Sequence, residues 1–386
     1  MTVPPDIAAI DSLLSEEERA IRDRVRAFAG PDLVAAMTEH WEAASFPYEL
    51  LPGLGALGIA GGPLHGYGCA GWSNVSYGLA LAELARASAS LSTTVHVQSG
   101  LAMTAIWMHG SEEQKTRWLP PMARMEAIGA FAATEPEAGS DLGSLRTTAA
   151  AAGGGHALNG EKRWIGHGTV CNVAAVFARG EDGRIGGYLV ERGTPGWTAE
   201  LITGKGSQRA VWQAHITMRD CVVPAENRLP GIRGLGDVLR VLTHSRFGVA
   251  WDALGQAKAC YEAALTHALE RRQFGAPLAS KQLVQQKLVL MASEIALADA
   301  LTVHVSRLMD SREASPALIS MLKMNNTTKA RAIAAAARDL LGGDGILLER
   351  QVMTHLADIE GPYTYEGTND TNMLIVGQAI TGYKAF

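Results

Sequence analysis

The strongest constraint on this chain is a change of texture along it. Beyond about Leu235 the sequence runs in long, glycine-poor stretches, residues 249–271, 282–309 and 316–341, each apolar along one side. Apolar residues recurring at helical spacing define a buried face. Breaks at Ala276-Pro277 and Ser315-Pro316 separate the stretches, and a final helix is predicted over residues 369–380. Long helices joined by short links favour an antiparallel four-helix bundle.

The preceding region, from Gly129 to about Pro230, reads differently. Short apolar runs at residues 172–179, 187–191, 197–201 and 214–218 are divided by glycine-bearing turns, with Asp182-Gly183 favouring a tight one. Regular short strands suggest a small barrel or sandwich. Upstream, the signals are helical again. Ser15 and Glu18 can close a capping box, and Leu14, Ile21, Val25 and Phe28 share one face. Ser73 is placed to cap a helix over residues 73–90, and Ser111-Glu112-Glu113-Gln114 opens another that Pro120-Pro121 should disrupt or end. The expected fold class is therefore α+β multidomain: an N-terminal helical domain over residues 1–128, a central β-barrel domain over 129–234 and a C-terminal four-helix bundle over 235–386.

Composition narrows the function. Lys+Arg is 34 against Asp+Glu 39, a net charge of −5, which offers no basic face for nucleic acid. Cys69, Cys171, Cys221 and Cys260 lie far apart, so neither a zinc site nor a disulfide framework is expected, and scattered thiols suit a reducing compartment. The eleven histidines, His96 and His167 among them, form no metal pattern; isolated histidines are more often packed or hydrogen-bonded than catalytic. No metal is expected. The acidic start lacks the cationic, apolar build of a leader, the residues 383–386 are not a peroxisomal address, and no uncharged apolar run is long enough to span a membrane. The default expectation is a cytoplasmic protein.

Taken singly, the local motifs leave alternatives open. Residues 134–141, Thr-Glu-Pro-Glu-Ala-Gly-Ser-Asp, must turn, and could hold an anion or a cofactor edge or be an ordinary polar turn. Gly342-Gly343-Asp344-Gly345 reads first as a glycine helix stop, though it would also admit a phosphate. Arg271-Arg272-Gln273-Phe274-Gly275 could complement a helix end or clamp a pyrophosphate. Tyr365-Glu366-Gly367-Thr368 offers a general base or an exposed cap carboxylate, with Asp358, Glu360 and Asp370 as neighbouring competitors.

Together, nearly end to end, these motifs resemble the acyl-CoA dehydrogenase family. The signs are residues 131–136 (Phe-Ala-Ala-Thr-Glu-Pro) with Gly139-Ser140-Asp141, residues 158–165 (Leu-Asn-Gly-Glu-Lys-Arg-Trp-Ile), residues 270–275, Leu341-Gly342-Gly343-Asp344-Gly345 and Tyr365-Glu366-Gly367-Thr368, in order and suitably separated. The carboxyl end, residues 365–370 with 377–382, looks most like the glutaryl-CoA dehydrogenase branch, which includes the short-chain acyl-CoA oxidases of plants; residues 163–167 look closer to those oxidases.

The resemblance implies FAD as cofactor and a homotetramer. It implies that Ala133, Thr134, Trp164 and Gly166 lie by the flavin ring, that Ser140 lies near cofactor and carrier phosphates, and that Arg272 and Phe274 reach the FAD of a neighbouring subunit. Asp339, Gly343, Thr368 and Asp370 would line the adenine-dinucleotide portion; Ser92, Ser140, Arg246, Tyr365 and Gly367 would line the substrate site. Glu366 matches the family's base; the position used in other branches falls at Ser245, which cannot compete. Such a base removes the α-proton of an acyl-CoA, or acyl-carrier-protein, thioester while the β-hydrogen leaves as hydride to flavin N5, giving a trans-2-enoyl thioester. Burial would raise its pKa from the usual carboxylate value of about 4.3 towards neutrality.

The departures carry weight. Where the family often continues Trp-Ile-Thr-Asn, this chain has Trp164-Ile165-Gly166-His167, removing a hydroxyl from the flavin's surroundings. The arginine and glutamate with which glutaryl-specific relatives grip the distal carboxylate fall at Ser92 and Ala85, so a buried dicarboxylate would be left unpaired. The expected activity is dehydrogenation of a short- or medium-chain acyl-CoA with electron-transfer flavoprotein as acceptor. The alternative is an oxidase that reduces O2. A decarboxylating glutaryl-CoA dehydrogenase, a flavin monooxygenase and a non-catalytic DNA-associated relative rank lower.

Overall fold

The computed structural model describes residues 6–385. The outermost parts of the two terminal readings, residues 1–5 and 386, lie outside the described residues.

The N-terminal region is helical up to Ala123. Ser15 and Glu18 close the predicted capping box ahead of the Glu16–Phe28 helix, whose Ile21 and Val25 are buried. A second capping box, Ser111 with Gln114, opens Glu112–Ala123. That helix continues through Pro120 and Pro121 instead of stopping at them, so the expectation of a break there is corrected. Ser73 caps the Asn74–Ala87 helix, which is buried on nearly every side. Ser88 ends it, in extended backbone, and its side chain caps the next helix, Ala89–His96.

The middle region is one mixed eight-stranded sheet: β1 Gly129–Ala132, β2 Thr148–Ala152, β3 Gly155–Gly166, β4 Val173–Gly180, β5 Ile185–Glu191, β6 Trp197–Leu201, β7 Gln213–Pro224 and β8 Arg228–Leu229. The path runs β6-β7-β3-β2-β4-β5-β8, with β1 parallel on β4. Sequence patterning locates β4, β5, β6 and the first half of β7, but not β1, β2, β8 or β3, whose Leu-Asn-Gly-Glu-Lys-Arg-Trp-Ile stretch lacks clean alternation. The cause is two register shifts against β7, between Leu158 and Gly160 and between Lys162 and Ile165. The second shift carries Trp164 at φ 63°, re-aiming its ring out of the sheet's alternation.

The C-terminal bundle comprises Leu235–Glu270, Gln282–Asp310, Pro316–Leu340 and Asn369–Thr381. Its first helix begins fourteen residues before the predicted start, a stretch in which Gly236 and Gly248 interrupt the pattern; Gly248 and Gly255 both lie inside the helix. Added Cβ atoms there would stand 2.5 Å from His96 Nδ1 and 2.2 Å from the Ala82 carbonyl oxygen. Gly248 and Gly255 are thus points where N-terminal helices press onto the bundle. Gln282–Asp310 is long and apolar enough by composition to cross a membrane, against the expectation that no stretch would be. It packs in the bundle on one side, while Leu283, Val289, Leu290 and Leu297 stand exposed on the other.

Asp358 ties the three regions together. It accepts from Trp41 Nε1 at 2.8 Å, from the Gln208 backbone N–H at 2.6 Å and from Ser90 Oγ at 3.3 Å. Burial pushes its carboxyl up to about 6.

Candidate active site

The short Glu360–Thr364 helix and the Asn369–Thr381 helix meet at a loop with unusual backbone. Glu366 has φ 54° and Gly367 φ 87°, so two consecutive residues are left-handed. Glycine adopts this freely; a glutamate does so only where its surroundings hold it. The restraints are visible. Arg246 Nε donates to the Glu366 carbonyl at 2.8 Å, and Lys323 Nζ and Asn372 Nδ2 each donate to the Gly367 carbonyl at 2.8 Å. Thr368 caps the following helix by accepting from the Thr371 N–H. Burial lowers the pKa of Lys323 to about 7 and lowers that of Arg246 as well.

The Glu366 side chain turns inward and is 6% exposed. Its Oε1 lies 2.8 Å from His96 Nε2 and 2.9 Å from Ser245 Oγ, and those two atoms are 2.9 Å apart. Oε2 is equally buried and has no protein partner. A carboxylate anchored through one oxygen and free at the other is arranged to take a proton without moving. Of the competing acids, Glu360 is engaged by Arg331 at 2.6 Å, Asp370 is exposed, and Asp358 is fully bonded elsewhere. Among these four acids only Glu366 combines a buried side chain with an unpartnered carboxylate oxygen.

His96 is the residue that sequence reasoning passed over. It belongs to no motif, and the helix carrying it meets the base only through the fold. The trace in sequence is indirect: Gly248 permits its ring to lie on the bundle helix, and Gly100, one turn on, also leaves room for it. Tyr365, half-buried, places its hydroxyl 3.3 Å from Thr93 Oγ1. Ser92, fully buried, sits one turn before His96 on the same helix.

The sheet supplies a second wall. Glu135 Oε1 accepts from Thr147 N–H at 2.9 Å and from Lys162 Nζ at 2.8 Å, while its Oε2 accepts from Arg146 N–H at 2.6 Å. Burial lowers Lys162 to about 8, and the lysine also donates to the Ala133 carbonyl at 3.1 Å. The Thr134 carbonyl accepts from Arg163 N–H at 2.9 Å. This lattice fixes the 133–134 edge beside Trp164, whose ring is 54% exposed. Gly166 packs against the chain segment next to His96: an added Cβ would come 3.0 Å from Val97. The larger side chain common in the family would have to displace Val97.

The remaining expected site residues are not drawn to Glu366 within this chain. Ser140 and Asp370 are exposed. Asp339 is exposed and paired with Lys287, and Gly343 lies in an exposed turn. Arg272 donates to the Gly275 carbonyl at 3.1 Å in a small hairpin from which Phe274 projects, 94% exposed at φ 52°.

Three family models, acyl-CoA dehydrogenase N-terminal, middle and C-terminal domains, match residues 15–126, 130–221 and 233–381. An acyl-CoA dehydrogenase of Bacillus subtilis (strain 168) is 33% identical, over 96% of this chain and 99% of its own length. The short-chain specific mitochondrial acyl-CoA dehydrogenase of Mus musculus is 32% identical, over 96% and 92%. A glutaryl-CoA dehydrogenase of Mycobacterium smegmatis, solved in complex with FADH2, superposes with a TM-score of 0.98 at 40% identity, each chain covered in full (100%). A helical, sheet and helical-bundle architecture with a buried carboxylate at the junction defines a flavin-dependent thioester oxidoreductase. This chain belongs to the acyl-CoA dehydrogenase family and is an FAD enzyme. Its residues suit the cofactor: a half-exposed tryptophan stands by a braced 133–134 edge, Gly166 packs on Val97 next to His96, and His96 holds a carboxylate whose Oε2 is unpartnered.

Proposed function

We propose that this enzyme dehydrogenates a short- or medium-chain acyl-CoA whose acyl tail is not a dicarboxylate, with Glu366 as base and electron-transfer flavoprotein as acceptor. The observation that carries the reading is Glu366 itself, buried, held at Oε1 by His96 and Ser245 and at its carbonyl by Arg246, with Oε2 free. In this mechanism Oε2 takes the α-proton while Oε1 keeps its two bonds. Arg246 holds the Glu366 peptide so that the side chain is not realigned during transfer. His96 and Ser245 offer hydrogen-bonding groups that temper the carboxylate's charge in a site without bulk water. Bound FAD supplies the acceptor for the β-hydrogen, which leaves as hydride.

Neither Ser92 nor Ala85 can answer a distal carboxylate. That favours a non-decarboxylating dehydrogenase although a solved relative is named for glutaryl-CoA. The exposed apolar face of Gln282–Asp310 and the bare Phe274 support assembly with further copies of the chain, a homotetramer in our reading. The test is anaerobic titration of the holoenzyme with acyl-CoA thioesters, followed by bleaching at the flavin band. Bleaching by straight-chain thioesters without CO2 release is expected. Stoichiometric peroxide in air with no acceptor protein would instead identify an oxidase, and bleaching by none of the thioesters would sink the reading.

A further inference from the structure

The facing sides of the Ala89–His96 and Leu235–Glu270 helices continue beyond the base. His96 and Ser245 meet at Glu366. Ser92 lies one turn before His96, and Asp252 lies two turns after Ser245, about 10 Å along the axis and on the same face of its helix. These two meet as well: the Ser92 hydroxyl faces the Asp252 carboxyl. Tyr365, the base's neighbour in the chain, feels the charge of both Glu366 and Asp252. The two carboxyls therefore belong to one continuous seam between these helices, Glu366 at the Ser245 level and Asp252 two turns further along.

Asp252 differs from Asp299 and Glu83, acids about as deeply buried. Asp299 is answered by Lys258 at 2.7 Å, and Glu83 by Arg26 at 2.7 Å and Arg86 at 3.1 Å. Asp252, 2% exposed, has no lysine or arginine beside it among the described residues. Gln256 Nε2 donates to its Oδ2 at 2.7 Å, and Ser92 directs its proton to the Leu81 carbonyl at 3.2 Å. Asp252 Oδ1 and Gln256 Oε1 are both buried and both without a partner. Buried acceptors left without a partner are costly and uncommon in native proteins. Burial pushes the Asp252 carboxyl up to about 7; a donor brought in by a ligand would relieve both oxygens.

We propose that Asp252, with Gln256 and Ser92, reads the end of the acyl tail, and that the enzyme prefers short acyl thioesters whose tail ends in a hydrogen-bond donor, a hydroxyl or an ammonium. The proposal rests on Glu366 being the base. It also supplies a second reason for rejecting glutaryl-CoA, since a distal carboxylate would meet Asp252 and its unanswered acceptors.

The experiment compares thioesters of equal carbon count with the FAD-loaded enzyme: valeryl-, 5-hydroxyvaleryl-, 5-aminovaleryl- and glutaryl-CoA, each by anaerobic flavin reduction. The donor-ended substrates should exceed valeryl-CoA in kcat/KM by about 10- to 100-fold, the effect of one hydrogen bond to a charged or buried group, with glutaryl-CoA slowest. Asp252→Asn should lose the preference for the amine more than that for the hydroxyl. Asp252→Leu should turn the preference over to valeryl-CoA. Equal or better use of valeryl-CoA by the unaltered enzyme overturns the proposal, as does an unchanged ratio in Asp252→Leu. The first of these results needs no variant, so it stands even if the substitutions fail to fold. Failure of every thioester to bleach the flavin is a different outcome, which removes the base assignment itself.

Discussion

Residues 365–368 and the 271–277 hairpin both present a charged side chain beside glycine and an aromatic, and the fold treats them oppositely. The first is buried, left-handed at two consecutive residues, and gripped by Arg246, Lys323 and Asn372 from two bundle helices and its own following helix. The second makes a two-residue ladder and leaves Phe274 in solvent. The contrast separates two kinds of functional residue. A group that must move a proton needs a fixed position and exclusion of water, so a single chain builds its complete cage. The hairpin instead carries a left-handed Phe274 that is 94% exposed, apolar surface left uncovered within one chain.

Substitutions can break this contrast in order of size. Glu366→Gln should retain FAD and the yellow colour while slowing anaerobic flavin reduction by about two to four orders of magnitude; near-normal reduction would mean the base lies elsewhere. Arg272→Ala should leave the caged loop intact and weaken FAD retention about tenfold or more, read from flavin released on gel filtration. Retention unaffected by that change would show that the hairpin serves no cofactor. His96→Ala should reduce kcat about tenfold with little change in KM, because it loosens Oε1 without touching bound thioester; His96→Asn should restore part of the loss.

The smallest effect concerns stability. Asp252 has a folded-state pKa raised by burial from 3.8 to about 7. A raised acid is a stabilising group only while protonated: its contribution is complete below about pH 4, is lost as pH rises through about 7, and changes no further above that. Asp252→Asn, which cannot ionise, should therefore gain in Tm relative to the parent by a few degrees between pH 5 and 8 in a scan of the ligand-free holoenzyme. Parallel curves for the two proteins would show that the carboxyl is answered by a group it is not now seen to touch.

Some of the candidate residues stand out in the sequence and others do not. Thr134, Trp164, Arg272, Gly343 and Glu366 sit in turns and bulges whose glycines, prolines and special backbone leave a mark on sequence. His96 and Asp252 sit inside ordinary helical stretches, and nothing in their local pattern separates them from core. Pro120 and Pro121 are the reverse case: a strong local signal for a break that packing overrides, with Leu119 and Met122 buried on either side.

By itself, the sequence determined the order of helical, strand and helical regions, the capping boxes, the motif set and with it the family. Those properties depend on residues near one another in the chain. Tertiary structure alone decided which carboxylate is caged, that a histidine 270 positions away touches it, and that a second buried acid keeps one oxygen unpartnered two turns further along the bundle helix. Burial and partnership are properties of neighbours in space, and only the packed helices bring those neighbours together.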